Sequence, residues 1–127
     1  MKRAILSFIF ALFVITIATA QAEAKKQNQY LGILKLEETY RTATWTQNEM
    51  NIAQAHFKRL MEYKEKGKVI LAGRTQYENN HPDLTGLVIF YAENMEEAQN
   101  FMKGDPAVEG KLMKSEVHPY QVALGCK

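Results

Sequence analysis

The order of secondary-structure signals predicts an α+β domain of ferredoxin-like plan, β-α-β-β-α-β, with a four-stranded antiparallel sheet and two helices on one face. Three observations predict it. Four apolar runs have strand length, two stretches between them have helical periodicity, and each helix opens on a side-chain cap and ends at a glycine.

The chain begins outside this pattern. Met1, Lys2 and Arg3 are a short cationic start, Ala4 to Ile17 is apolar except for Ser7 and Thr16, and small residues fill Ala18 to Ala24. Charge, apolar core and A-x-A sites in that order imply a secretory signal peptide over residues 1–22, with cleavage after Ala20, Ala22 or Ala24. A membrane anchor is the competing reading. The apolar run is shorter than the about 20 residues a spanning helix needs, so no stable membrane anchor is expected once the signal is removed. No Cys follows the run, which argues against a lipid anchor. The mature chain is therefore expected to be exported, either periplasmic or secreted. Residues 23–28 read as a polar leader, 29–124 as the domain and 125–127 as a tail.

Loss of residues 1–22 removes Lys2 and Arg3 and leaves 14 basic residues against 14 acidic ones. A neutral domain without a basic stripe argues against nucleic acid as a partner. The single cysteine, Cys126, lies in the tail, so no disulfide staples the domain, and its core or oligomerisation must supply the stability. Cys126 reads as an incidental tail residue or as one half of an intermolecular bridge.

Tyr30 to Leu36 is the first strand, and Thr42 to Thr44 is loop. Thr46 and Glu49 have the S/T-x-x-E spacing of a capping box that opens the first helix, with Trp45 and Met50 at the positions of a hydrophobic staple. Met50, Ala53, Phe57, Leu60 and Met61 then recur as one apolar stripe, and Gly67 ends the helix. Val69 to Gly73 is the second strand, residues 76–85 are a polar loop, and Leu87 to Ala92 is the third strand. Asn94 and Glu97 cap the second helix, and Gly104-Asp105-Pro106 breaks it. A helical turn from Pro106 to about Gly110 precedes a last strand from Leu112 to Leu124.

The third strand is apolar on both faces: Leu87, Ile89 and Tyr91 alternate with Val88, Phe90 and Ala92. Two helices cover one face of such a sheet, and an uncovered apolar face is more than a monomer usually exposes. A homodimer that packs sheet on sheet is the expected solution.

Two runs carry a family resemblance. Ala55 to Leu60 followed by Gly67 to Gly73 resembles the H-x-x-x-L … G-x-L-L-x-A-G pattern of YCII-related proteins. So do Glu96 to Gln99, Asp105 to Val108 and Val117 to Tyr120, and together these motifs span residues 30–123. The resemblance implies a dimeric α+β barrel of ferredoxin-like subunits, with a pocket centred on a His and an Asp proposed as a catalytic pair. Those positions fall on His56 and Asp105. It also implies isomerisation or elimination on small cyclic or aromatic metabolites. The chain departs from the pattern at Ala53, where an Arg is frequent, and at Ala72-Gly73-Arg74, where the family has A-G-P.

The candidate residues also have plainer roles. His56 lies at the edge of the helix stripe, where an imidazole exchanges protons near neutral pH or simply satisfies a carbonyl. Asp105 before Pro106 is a strong N-cap, and its carboxylate could also orient His56 as a base. Arg74, His118 and Tyr120 are the candidate substrate-binding residues: Arg74 for an anionic group, His118 and Tyr120 from one face of the last strand. In their plainer roles, Arg74 is a solvated loop cation and Tyr120 is core. His56, His81 and His118 lack metal-ligand spacing, and no serine-elbow, phosphate-loop or dinucleotide motif is present. No metal and no cofactor are expected. Two readings follow: a cofactor-free enzyme that uses His56 and Asp105 for acid–base chemistry on a small cyclic or carbonyl metabolite, or a non-catalytic small-ligand-binding or assembly module.

Overall fold

A computed structural model describes residues 27–125, so the expected signal peptide and Cys126 lie outside the described residues. The elements run β1 (Asn28–Leu36), α1 (Glu38–Thr42), α2 (Gln47–Glu65), β2 (Val69–Arg74), β3 (Gly86–Ala92), α3 (Met95–Lys103), α4 (Pro106–Glu109) and β4 (Met113–Tyr120). The strands form one sheet in the order β2-β3-β1-β4 with every neighbouring pair antiparallel, as the ferredoxin-like plan requires. The short α1 was not expected, because one turn of helix carries no periodicity to read. β4 stops at Tyr120 rather than Leu124. Among the described residues no helix is long and apolar enough to cross a membrane.

Period-two alternation divides the sheet. Tyr30, Leu34, Val88, Phe90 and Ala92 are buried on the inner, helix-side face, where Phe101 and Met102 of α3 complete the core. Gly32 belongs to this packing, since a Cβ there would lie 2.7 Å from Met102 Sδ and Cε. On the outer face, Leu31 pairs with Ile89 and Ile33 with Leu87, and no helix covers them. Leu87 is 37% and Leu71 53% exposed there. The patch anticipated from β3 is present.

The ends of α2 behave as their residues dictate. Thr46 and Glu49 form the full capping box. At the far end Gly67 takes φ +77°, its N–H bonds Lys64 O, and Lys68 N–H bonds Tyr63 O, which is a Schellman closure. The same closure ends α4, but there the left-handed residue is Lys111 at φ 55°.

The face that α2 packs on the α3–α4 corner is not its apolar stripe. Met50, Phe57 and Met61 of the apolar stripe are 50%, 62% and 46% exposed. The ridge turned to the α3–α4 corner is instead Ile52, His56, Arg59 and Tyr63, spaced by four, three and four residues. Its contacts are polar and aromatic. Arg59 lies over the Phe101 and Tyr63 rings at 4.4 and 4.8 Å, and Tyr63 meets Phe101 edge-on at 4.9 Å. Hydrophobic periodicity does not register such a ridge, because half of it is a histidine and an arginine. His56 is consequently at the centre of a packed face and not at the edge of one.

Candidate active site

The site forms where the α3–α4 corner meets the middle of α2. α3 ends at Gly104, and the next residue, Asp105, is already the N-cap of α4. Gly110 lets this corner sit close to α2: a Cβ there would stand 3.0 Å from Ile52. The corner therefore delivers a carboxylate to the ridge of α2 at His56.

Asp105 is 1% exposed and does two jobs at once. Its Oδ1 accepts the Ala107 N–H at 2.9 Å, the cap expected from Asp-Pro. Both carboxylate oxygens also stand 2.8 Å from His56 Nδ1. The cap and the imidazole contact are compatible because a carboxylate has lone pairs enough for both.

A third member was missed in the sequence. Arg59 places Nη1 3.6 Å from Asp105 Oδ2 and donates from Nη2 to Phe101 O at 2.7 Å. Its Nη1 is buried without a hydrogen bond, so the charge of Asp105 is its compensation. The signal was present in the spacing: Arg59 is three residues after His56, hence on the same side of the helix.

With Nδ1 held by a carboxylate, the neutral imidazole carries its proton on Nδ1 and leaves Nε2 as an acceptor. Nε2 makes no hydrogen bond among the described residues. His56 borders a broad, mostly apolar cleft between α2 and the β2 side of the sheet. Ala53, Phe57 and Met61 line it from the helix, and Leu34 and Val88 from the sheet. Phe57 and Met61, exposed residues of the α2 stripe, are therefore cleft wall. Trp45 joins this wall, anchored by its indole N–H on Tyr40 O at 3.0 Å, while Met50 stays half exposed.

The other candidates are divided by the sheet. Arg74 lines the cleft. His118 pairs with Leu31 on the outer face, opposite to His56, and stands 3.5 Å from Glu116. Tyr120 shares that outer face, 44% exposed, where the cleft wraps round toward Gln29 and Tyr91. It is not a core residue. The structure brings together His56, Asp105 and Arg59 and sets His118 apart from them. No group of three or more His, Cys, Asp or Glu among the described residues could hold a metal ion.

Comparison with known proteins agrees with this architecture. Among solved structures, the 5-chloro-2-hydroxyhydroquinone dehydrochlorinase TftG of Burkholderia phenoliruptrix AC1100, in complex with 2,5-dihydroxybenzoquinone, superposes with a TM-score of 0.55. The match covers 73% of this chain and 93% of that one at 19% identity, a likeness of fold. No curated protein matches the sequence. The profile of the YCII-related domain matches residues 12–121, most of the chain, and the protein belongs to the YCII-related family.

Proposed function

We propose that the mature protein is an exported, homodimeric, cofactor-free enzyme that moves a proton on a small cyclic or carbonyl-bearing metabolite. One observation carries the reading: a buried carboxylate 2.8 Å from Nδ1 of His56, which leaves Nε2 as the free base beside an apolar cleft. His56 Nε2 takes a proton from carbon or oxygen of the substrate. Asp105 keeps the acceptor on Nε2 and stabilises the imidazolium once it forms. Isomerisation returns the same proton to a different atom of the substrate. In elimination the electron pair of the broken C–H or O–H bond becomes a new double bond, the leaving group departs with the pair of its own bond to carbon, and the imidazolium gives its proton to solvent. The dimer would form through the apolar outer face, which also carries His118 and Tyr120.

The fold neighbour supplies the first probe. The mature protein is mixed with 5-chloro-2-hydroxyhydroquinone, and chloride release and quinone absorbance are followed, with isomerisable cyclic ketones as a second panel. Turnover that disappears in His56→Ala supports the proposal; turnover undiminished in that variant sinks it. A non-catalytic binding module is the second reading, favoured by the cap that already gives Asp105 a structural job. It predicts saturable binding of 2,5-dihydroxybenzoquinone without turnover of any compound in either panel.

A further inference from the structure

β2 contains an irregularity that decides what the cleft presents to a ligand. Val69 pairs with Phe90, but the next partner of β3, Ile89, pairs with Leu71, so Ile70 is an extra residue in the strand. A bulge of this kind switches the facing of everything beyond it. Beyond Ile70, Ala72 pairs with Val88 and Arg74 with Gly86, which itself pairs with Leu34. Val88 and Leu34 are inner-face residues, so Ala72 and Arg74 share their face. In a regular strand Arg74 would have pointed outward. The bulge is held from the helix: Lys64 of α2 donates to Ile70 O at 2.7 Å.

Gly86 has no side chain, and a Cβ there would stand 3.3 Å from Leu34 Cβ, so in the cross-strand row of Leu34, Gly86 and Arg74 the leucine packs over the glycine beside the arginine. The Arg74 side chain makes no hydrogen bond or ion pair among the described residues. None of the described residues that line the cleft is acidic, while Lys64 and Arg74 are among them. An apolar slot ending at an unengaged guanidinium is complementary to a ring compound with an anionic group.

We infer that the cleft selects small ring compounds bearing a carboxylate or an ionised enol or phenol, and that Arg74, re-aimed by the bulge at Ile70, receives the anion as the specificity-determining residue. This rests on the proposal that the cleft is the substrate site. The neutral ring packs against Phe57, Met61 and Leu34 while the anion anchors at the β2 edge. The position is one where this chain departs from the pattern of its family, so the charge preference is a property of this protein.

The test uses the mature protein with 4-fluorobenzoate and 4-fluorobenzamide, two rings of equal size that differ in charge, titrated by fluorine NMR. The expected result is about tenfold tighter binding of the benzoate, lost in Arg74→Ala and partly kept in Arg74→Lys. The preference should survive in His56→Gln, which separates this inference from the proton-transfer reading. Equal affinity for the two rings, no binding of either up to about 10 mM, or a preference that persists in Arg74→Ala overturns it. A preference lost in His56→Gln but kept in Arg74→Ala also overturns it, because the anion would then sit on the imidazole. None of these outcomes touches the turnover test of His56.

Discussion

Replacement of Asp105 by Asn and by Ala separates the two jobs of this residue. In Asp105→Ala the Ala107 N–H loses its cap, which costs about 1 kcal/mol. The His56 Nδ1–H and the buried Arg59 guanidinium lose their acceptor and counter-charge, and a buried polar group left unpaired costs about 1–3 kcal/mol. The expected loss is about 3 kcal/mol, and a domain of this size loses roughly 4–8 °C in melting temperature per kcal/mol, hence about 15 °C. Asparagine keeps an oxygen for the Ala107 N–H but gives up the charge that faces His56 and Arg59, about 1–2 kcal/mol. Its melting point should fall about midway between wild type and Ala. The amide also changes the imidazole: its NH₂ donates to Nδ1, the ring proton moves to Nε2, and the base is lost. Thermal unfolding and ¹⁵N NMR of the His56 ring test this. Asn melting with Ala, or Nδ1 still protonated in Asp105→Asn, refutes the reasoning.

The Glu49 carboxyl is held below the usual carboxylate range, first by the Thr46 hydroxyl and then by the Thr46 backbone N–H. A depressed value means stability that is present above about pH 4.5, the ordinary value, and lost as pH falls below it through the folded-state value. Glu49→Gln should therefore be less stable than wild type at pH 7 in urea titrations, with the gap closing in acid; a gap constant with pH would contradict the cap. Lys111 sits at φ 55°, and Lys111→Gly should stabilise the domain by about 1 kcal/mol in chemical denaturation; a loss of stability would mean that its side chain matters more than its backbone. Ile89→Lys places a charge in the middle of the apolar outer face. If the dimer proposed above forms through this face, sedimentation should show a dimer for the wild type and a folded monomer for the variant; a wild type that is itself a monomer, or a variant that still dimerises, would contradict that interface.

Much of the fold was legible because its signals are local. Thr46 and Glu49, Asn94, Asp105 before Pro106, and Gly67 each act on backbone within a few residues, so their type and spacing suffice to place helix ends. The two-sided apolar β3 likewise revealed a sheet with one covered and one uncovered face. His56 and Asp105 were identified through the family resemblance, and Asp105 as a cap through its neighbours.

The rest depended on contacts distant in sequence. His56 and Asp105 are 49 residues apart, and only the close approach of the α3–α4 corner to α2, tightest at Gly110, joins them. Arg59 became a member of the site because its guanidinium is wedged between Phe101 and Asp105, a placement that hydrophobic periodicity does not encode. The apolar stripe of α2 is largely cleft wall, since a periodic pattern marks which residues share a side and not what that side meets. The bulge at Ile70 is invisible in an apolar run, yet one extra residue transfers Arg74 to the inner face. The sequence alone determined the element order, the helix caps and the two-faced sheet, because each follows from short-range sterics and hydrogen bonding. Which of those elements touch, and therefore which polar groups share a buried site, was decided only by tertiary packing.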